Sequence, residues 1–205
     1  MFREEFLQTV KCYLSNKAMT EHLWNDIATR YSENTRHYHN LTHLEHLLEQ
    51  LIPIKEMIQD WHTLILSIAY HDFVYYVRNN DNEEQSASYA EKALSEISYP
   101  ADKIQKCKDQ ILATKAHKNE HGPDTNFFTD ADLSILGADT ETYLTYTTQI
   151  RKEYKIYPDL LYKPGRAKVL RHFLNMERIF KTDHFCELYE QQARKNLSIE
   201  LEHYS

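Results

Sequence analysis

Residues 61–76 read WHTLILSIAYHDFVYY, and this stretch decides the fold class. Apolar side chains recur in it at helical spacing, at Trp61, Leu64, Ile65 and Ile68. The pattern predicts a helix that is apolar enough to lie at the centre of a bundle. The dipeptide His71-Asp72 ends the run, and a charge there needs a partner because an unpaired charge in an apolar interior is costly. A divalent metal ion is one such partner, since neutral imidazole and carboxylate both bind it well.

The rest of the chain predicts further helices and no convincing strand alternation. The helical segments lie at about 2–15, at 20–31, from Leu41 up to Pro53, from a start within 79–94 through Ile97, from Pro100 to about Lys115, and at about 127–136, 140–155, 165–179 and 183–203. Asn40 is a candidate N-cap, and Gly137 a candidate C-terminal cap. We predict an all-α helical bundle that forms a single domain over residues 1–205. Its metal-site core covers about 36–137, and the C-terminal helices of 140–203 pack on it.

Composition restricts the functions that the chain can have. The net charge of -7 argues against a general nucleic-acid binder, which would normally show a basic domain. Only three glycines occur in 205 residues, which excludes glycine-rich phosphate loops. Three cysteines without a CxxC pair indicate a reducing compartment. No run is long enough to span a membrane, and the N-terminus does not resemble a signal peptide. We therefore expect a cytoplasmic protein with no membrane association.

Four histidines fall within residues 36–48, RHYHNLTHLEHLL, at the start of a leucine-rich helical pattern. At 100° per residue, His43 lies beside Leu47 at the border of the leucine face. His39 and His46 lie further round, toward solvent. His43 is therefore the histidine best placed to point into the interior. Two acidic residues, Asp130 and Asp132, also lie in an otherwise apolar run, FFTDADLSILG, and need an explanation.

The order His43, His71-Asp72 and Asp132 resembles the H…HD…D signature of the HD-domain superfamily of metal-dependent phosphohydrolases. The segments RHYHNLTH, YHDFVY, DNEEQSA, ILATKAH, DADLSILGA, IRKEY and GRAKVL are similar to a bacterial subfamily known mainly as predicted HD phosphohydrolases. The resemblance covers most of the chain. It implies an HD-type helical bundle.

The resemblance also implies a ligand set and an acid. His43, His71, Asp72 and Asp132 would bind one divalent ion (Mn, Fe, Mg, Co or Zn), with a second ion as the open alternative. Asp132 is preferred to Asp130 because the AD-L position matches the family's last aspartate, which leaves Asp130 as a helix cap or a support for the ligands. YHNLTH resembles the cyclic-nucleotide phosphodiesterase pattern, in which the histidine at the position of His39 protonates the leaving group.

Further side chains complete the expected site. Asp72 could also accept a proton from water, and Glu83, with Glu84 beside it, could orient water or a second ion. The substrate's phosphate could be held by charge-assisted bonds from Arg36, Lys115, His117 and Arg166. Each has a structural alternative. Glu83, Lys115 and His117 lie near helix ends, where the helix dipole favours their charges, and the two arginines could simply form ion pairs.

This chain departs from better-known branches of the superfamily after His71-Asp72. Phe-Val-Tyr follows, where several nucleotide-hydrolysing members carry a catalytic glutamate. The expected activity is hydrolysis of a phosphate ester in a nucleotide or another small metabolite. A non-catalytic nucleotide- or metal-binding sensor and a di-iron oxygenase are the alternatives. The expected partner is a small phosphorylated, nucleotide-like substrate, and a homodimer is an open alternative.

Overall fold

The computed structural model describes residues 1–116 and 122–204. These residues form α-helices and two 3-10 helices, with no strand among them, which confirms the predicted all-α fold class. The α-helices are α1 (Phe2–Lys11), α2 (Lys17–Tyr31), α3 (Leu41–Leu51), α4 (Trp61–Tyr70), α5 (Asn82–Glu96), α6 (Ala101–Ala116), α7 (Pro123–Leu133), α8 (Thr140–Glu153), α9 (Asp159–Leu174) and α10 (Asp183–Glu202). The 3-10 helices are Ile52–Met57 and Ser134–Gly137.

The chain divides into two compact units, Met1–Thr129 and Asp130–Ser205, so the boundary falls inside α7. The first unit begins at residue 1 and therefore includes α1 and α2 as well as the segment from residue 36. The single-domain description of residues 1–205 stays a prediction. Within the described ranges, none of the helices is both long and apolar enough to cross a bilayer.

Helix α4 is the centre of the first unit. Its residues from Thr63 to Tyr70 are all buried, as the apolar run predicts. Helix α3 contributes a leucine face that is wholly buried, at Leu44, Leu47, Leu48 and Leu51. Each such leucine stabilises the fold by about 1.5–3 kcal/mol. Side-chain caps fix where both helices begin: Asn40 accepts from the backbone N–H of Thr42, and Asp60 from that of Thr63. The histidines of the predicted site are thus carried on well-anchored helices.

The second unit comprises the end of α7, the 3-10 turn Ser134–Gly137 and helices α8, α9 and α10. The helical segment ends at Gly137 as predicted, but the C-cap residue is Ala138, and the φ of Gly137 is not positive. Its role is a close approach instead: a Cβ at Gly137 would lie 2.5 Å from the Cβ of Tyr189 in α10. Only glycine fits that contact without displacing backbone.

Several helix boundaries differ from the sequence prediction, and at two helix starts a proline is involved. Helix α9 begins at Asp159, although Pro164 was predicted to lie in a connection before the helix. Pro164 removes the N–H that would bond the carbonyl of Leu160, but Leu160 is 85% exposed, so water can satisfy that carbonyl. Helix α7 begins at Pro123 rather than near residue 127, since proline is favoured in a first helical turn.

Candidate metal centre

His71 directly follows α4 and has a defined tautomer. Its Nδ1 lies 2.9 Å from the carbonyl oxygen of Ile68. A carbonyl can only accept, so Nδ1 must carry the proton and donate it. The neutral ring therefore presents the lone pair of Nε2 on its other side. A backbone carbonyl on the far nitrogen is the usual support for a metal-binding histidine.

His43 lies in the first turn of α3 and faces His71. The two Nε2 atoms are 3.1 Å apart, and both side chains are 1% exposed. Since the Nε2 of His71 has a lone pair, it attracts a proton from His43 or a cation shared with His43. Two nitrogens that each lie about 2.1 Å from one ion are this far apart when the angle at the ion is roughly 95°. The separation therefore fits two ligands of one metal ion.

Asp72 places a carboxylate beside this pair. Its Oδ2 is 3.1 Å from the Nε2 of His71, 3.9 Å from that of His43 and 4.0 Å from that of His39. Burial raises the pKa of the Asp72 carboxyl, but the three neighbouring imidazoles, when they are protonated, outweigh burial and hold that pKa well below its usual range. The carboxylate is therefore ionised and supplies the negative charge that a bound cation requires.

Asp132, in the last turn of α7, belongs to a group that could hold a metal ion. His43, His71 and Asp132 each offer one ligand atom, and these atoms lie within 4.8 Å of one another. Two nitrogens and a carboxylate oxygen are a donor set that suits zinc, iron and manganese. Three of the four predicted ligands therefore belong to a group that could hold a metal ion, and their role as ligands stays a prediction.

His39 lies just before α3, and its side chain is 18% exposed. The ring stacks on Tyr75, with ring centres 4.1 Å apart and an angle of 29° between the planes. Tyr38 meets it edge-on at 4.9 Å. Two aromatic contacts fix the ring, while its Nε2 reaches toward Asp72. His39 is therefore partly exposed beside the ligand cluster, as an acid that meets a substrate must be.

Arg36 does not have the exposure that a phosphate clamp needs. Its side chain is 1% exposed. Nη1 donates to the carbonyl oxygens of Asp72 at 2.6 Å and His39 at 3.3 Å, and Nη2 donates to that of Phe73 at 3.0 Å. Both terminal nitrogens of Arg36 thus already donate to backbone carbonyls, so its predicted phosphate contact has no support here and stays a prediction.

Lys115, Glu84 and Glu83 form their own surface cluster. The Nζ of Lys115 donates to both carboxylate oxygens of Glu84, at 2.6 and 2.8 Å, and lies 3.7 Å from Glu83. The bond to Glu84 raises the pKa of Lys115. Both glutamates lie in the first turn of α5, where the helix dipole favours them. These contacts account for all three side chains without a substrate, so their site roles stay predictions.

Two other candidates lie within the second unit. Arg166 forms a bidentate ion pair with Glu200 at 2.8 and 2.9 Å, so its charge is already neutralised and its substrate role has no support. Asp130 accepts the backbone N–H groups of Lys181 and Thr182 at 2.8 and 2.7 Å. Thr182 is the N-cap of α10. Asp130 therefore supports a helix start, as the capping alternative for this residue predicts.

The other histidines of the sequence prediction have varied outcomes. His46 was expected to face solvent but is half-buried, as is His37. His117 lies outside the described residues, so its predicted phosphate contact stays a prediction. Sequence reasoning missed Tyr31 and Tyr75. Tyr31 accepts the backbone N–H of Asp72 at 3.1 Å, and Tyr75 stacks on His39. The nearness of Tyr75 to His71 in the sequence is the one signal that could have marked it among the fifteen tyrosines.

No protein-family model matches this chain, and no curated protein or solved structure matches it. The resemblance to the HD superfamily therefore rests on the residues quoted above.

Proposed function

We propose that this chain is an HD-type metal-dependent phosphohydrolase that acts on a phosphate ester of a small, nucleotide-like metabolite. One observation supports the proposal most strongly: the Nε2 atoms of His43 and His71 are 3.1 Å apart and the carboxylate of Asp72 lies beside them. This arrangement of lone pairs and negative charge favours a shared divalent cation. Hydrolysis of a phosphate ester is a reaction that such a centre supports.

The proposed ligands are His43, His71, Asp72 and Asp132. Support for Asp132 comes from the group of His43, His71 and Asp132, which could hold a metal ion. A bound divalent ion would polarise a phosphoryl oxygen and lower the pKa of water toward neutrality.

The remaining roles follow from exposure and charge. His39 is partly exposed beside Asp72, so we propose that it donates the proton to the leaving oxygen of the ester. We propose Asp72 as a ligand, since its carboxylate lies beside both His71 and His43, and its role as a proton acceptor stays a prediction. The cysteines of the described residues are free, which supports a cytoplasmic location as part of the proposal.

The test is a screen of phosphomonoesters and phosphodiesters with the purified protein and added Mn²⁺. Asp72→Asn and His39→Asn remove one proposed role each while keeping side-chain size. His22→Ala is the matched control, because His22 is an exposed histidine of α2. We expect turnover in the wild type and in His22→Ala, and a fall of roughly 100-fold or more in the two site variants.

Three results would contradict the proposal. Full activity in the chelator-treated, metal-free protein would exclude a metal-dependent reaction. Stabilisation by nucleotides without any product would favour the sensor. Two iron ions per chain with oxygen consumption would favour the oxygenase.

A further inference from the structure

We infer that Arg36 is a positioning residue of the proposed metal centre, because its guanidinium joins the backbone of His39 to that of Asp72. The inference rests on the metal-binding part of the proposed function. It assigns Arg36 a role distinct from substrate binding. In that role, Arg36 holds the proposed acid His39 in position relative to the proposed ligand Asp72.

The hydrogen bonds of Arg36 connect two segments that are far apart in sequence. One nitrogen, Nη1, donates to the carbonyl oxygens of both His39 and Asp72, and Nη2 donates to that of Phe73. A guanidinium holds its donors in a rigid plane, so these three acceptors cannot shift independently of one another. The residue that precedes α3 and the segment that follows α4 are thereby fixed to one another.

Aromatic rings hold the guanidinium itself in place. Its carbon lies 4.9 Å from the ring centre of Tyr31 and 5.6 Å from that of Tyr75. Tyr31 also accepts the backbone N–H of Asp72 at 3.1 Å. Arg36 and Tyr31 therefore hold both backbone polar groups of Asp72. Tyr75 in turn stacks on His39, so the arginine also supports the acid candidate through a ring.

This geometry predicts a distinctive kinetic result. A phosphate clamp contacts substrate, so its loss raises KM. A positioning residue does not contact substrate, so its loss lowers kcat and weakens metal binding while KM changes little. Loss of a side chain that orients metal ligands typically costs roughly 10- to 100-fold in metal affinity or activity. Lysine keeps the charge of Arg36 but cannot reach three carbonyls with one planar group.

The test uses Co²⁺ as the metal, because its visible absorption reports on ligand geometry without requiring turnover. Arg36→Lys, Arg36→Met and Tyr31→Phe are compared with wild type for the Co²⁺ spectrum, the Co²⁺ dissociation constant, kcat, KM and the circular dichroism spectrum. Arg30→Met is the matched control. Arg30 lies 5.4 Å from the Phe73 ring centre and pairs with Glu33, as Arg36 does, but among the described residues it bonds to neither His39 nor Asp72.

We expect an altered Co²⁺ spectrum, a dissociation constant raised roughly 10-fold or more, a kcat lowered by a similar factor and a KM within about twofold of wild type for Arg36→Lys. Tyr31→Phe should show the same changes to a smaller extent, and Arg30→Met none of them. If Arg36→Met does not fold, Arg36→Lys and Tyr31→Phe decide.

Several results would overturn the inference. One is a Co²⁺ spectrum and a kcat equal to those of the wild type in both Arg36→Lys and Tyr31→Phe. Others are a rise in KM without a fall in kcat, or effects in Arg30→Met that equal those in Arg36→Lys. A wild-type protein that binds no Co²⁺ would also overturn it. Co²⁺ binding that depends on Arg36 in a protein without phosphohydrolase activity would support the inference while the proposed function fails. Turnover that is insensitive to Arg36 would support the function while the inference fails.

Discussion

Among the described residues, one cluster of buried ionisable side chains in each unit can be compared, and the two differ in the groups that meet. In the second unit, Arg166 and Glu200 pair through two bonds, and the hydroxyl groups of Tyr143 and Tyr204 also bond to Glu200. Arg166 in addition lies over the ring of Tyr146. Every charge in this cluster is answered by another protein group, so it needs no ligand.

The cluster in the first unit is built differently. His71 turns its lone pair toward the Nε2 of His43, and an ionised Asp72 lies beside both. A divalent cation between the facing nitrogens and the carboxylate would bind all three groups. Burial of charge alone therefore does not mark a functional site. The feature that points to a metal is the convergence of two imidazole nitrogens and a carboxylate oxygen.

The largest expected loss of stability follows from breaking the ion pair between Arg166 and Glu200. Glu200→Leu leaves the buried charge of Arg166 without its partner, which we expect to cost about 3–5 kcal/mol of unfolding free energy. The double variant Arg166→Met with Glu200→Leu should recover most of that loss, because the apolar pair leaves no buried charge. Urea denaturation measures both. A loss below about 1 kcal/mol in the single variant would show that the pair is not a structural unit.

Metal binding should stabilise the folded protein through the cluster around His71 and leave the cluster around Glu200 unaffected. A divalent ion at 100 times its dissociation constant adds about 2.7 kcal/mol of unfolding free energy to a protein that binds it only when folded. We expect this gain in the wild type and its absence in His43→Ala, measured by urea denaturation with and without Mn²⁺. The same gain in both proteins would place the bound ion elsewhere.

A close contact in the second unit should affect stability without affecting the metal. Gly137→Ala puts a Cβ 2.5 Å from the Cβ of Tyr189, and we expect a loss of about 1–3 kcal/mol. Gly165→Ala is the control, since a Cβ there has nothing within 4 Å and an alanine favours the helix by about 0.5–1 kcal/mol. Equal thermal shifts in the two variants would contradict the account of Gly137.

The smallest effect separates a helix cap near the site from one elsewhere. Asn40 caps α3 and Asn16 caps α2, each by accepting a backbone N–H. Replacing either with alanine should cost about 1 kcal/mol. Only Asn40→Ala should also weaken Mn²⁺ binding, because His43 is three residues further on. Isothermal titration calorimetry tests this, and equal Mn²⁺ affinities in the two variants would contradict it.

Sequence alone could predict the fold class and the position of His43, for a physical reason. Helical periodicity is a local property, and it showed that α4 is central and that His43 borders the leucine face. The structure confirms both: α4 is buried from Thr63 to Tyr70, and His43 is 2% exposed. Asn40 as an N-cap is also local, and it is confirmed.

The features that sequence missed depend on contacts between distant residues. Arg36 reaches carbonyls 36 and 37 positions away, and Lys115 pairs with Glu84 at a separation of 31. No local pattern reveals which acceptor a buried arginine finds, so an exposed phosphate clamp was an equally reasonable interpretation. The start of α9 was predicted too late for a related reason. A helix tolerates Pro164 because Leu160, whose carbonyl loses its partner, is exposed to water, and exposure is not a local sequence property.

The central claim is that His43 and His71 bind one divalent ion. Equilibrium dialysis against Mn²⁺, followed by elemental analysis, tests it on the wild type, His43→Ala, His71→Ala and the control His22→Ala. We predict close to one ion per chain in the wild type and in His22→Ala, and a loss of roughly 100-fold or more in affinity for the other two. A wild type that binds no ion, or site variants that bind Mn²⁺ as the wild type does, would contradict the account.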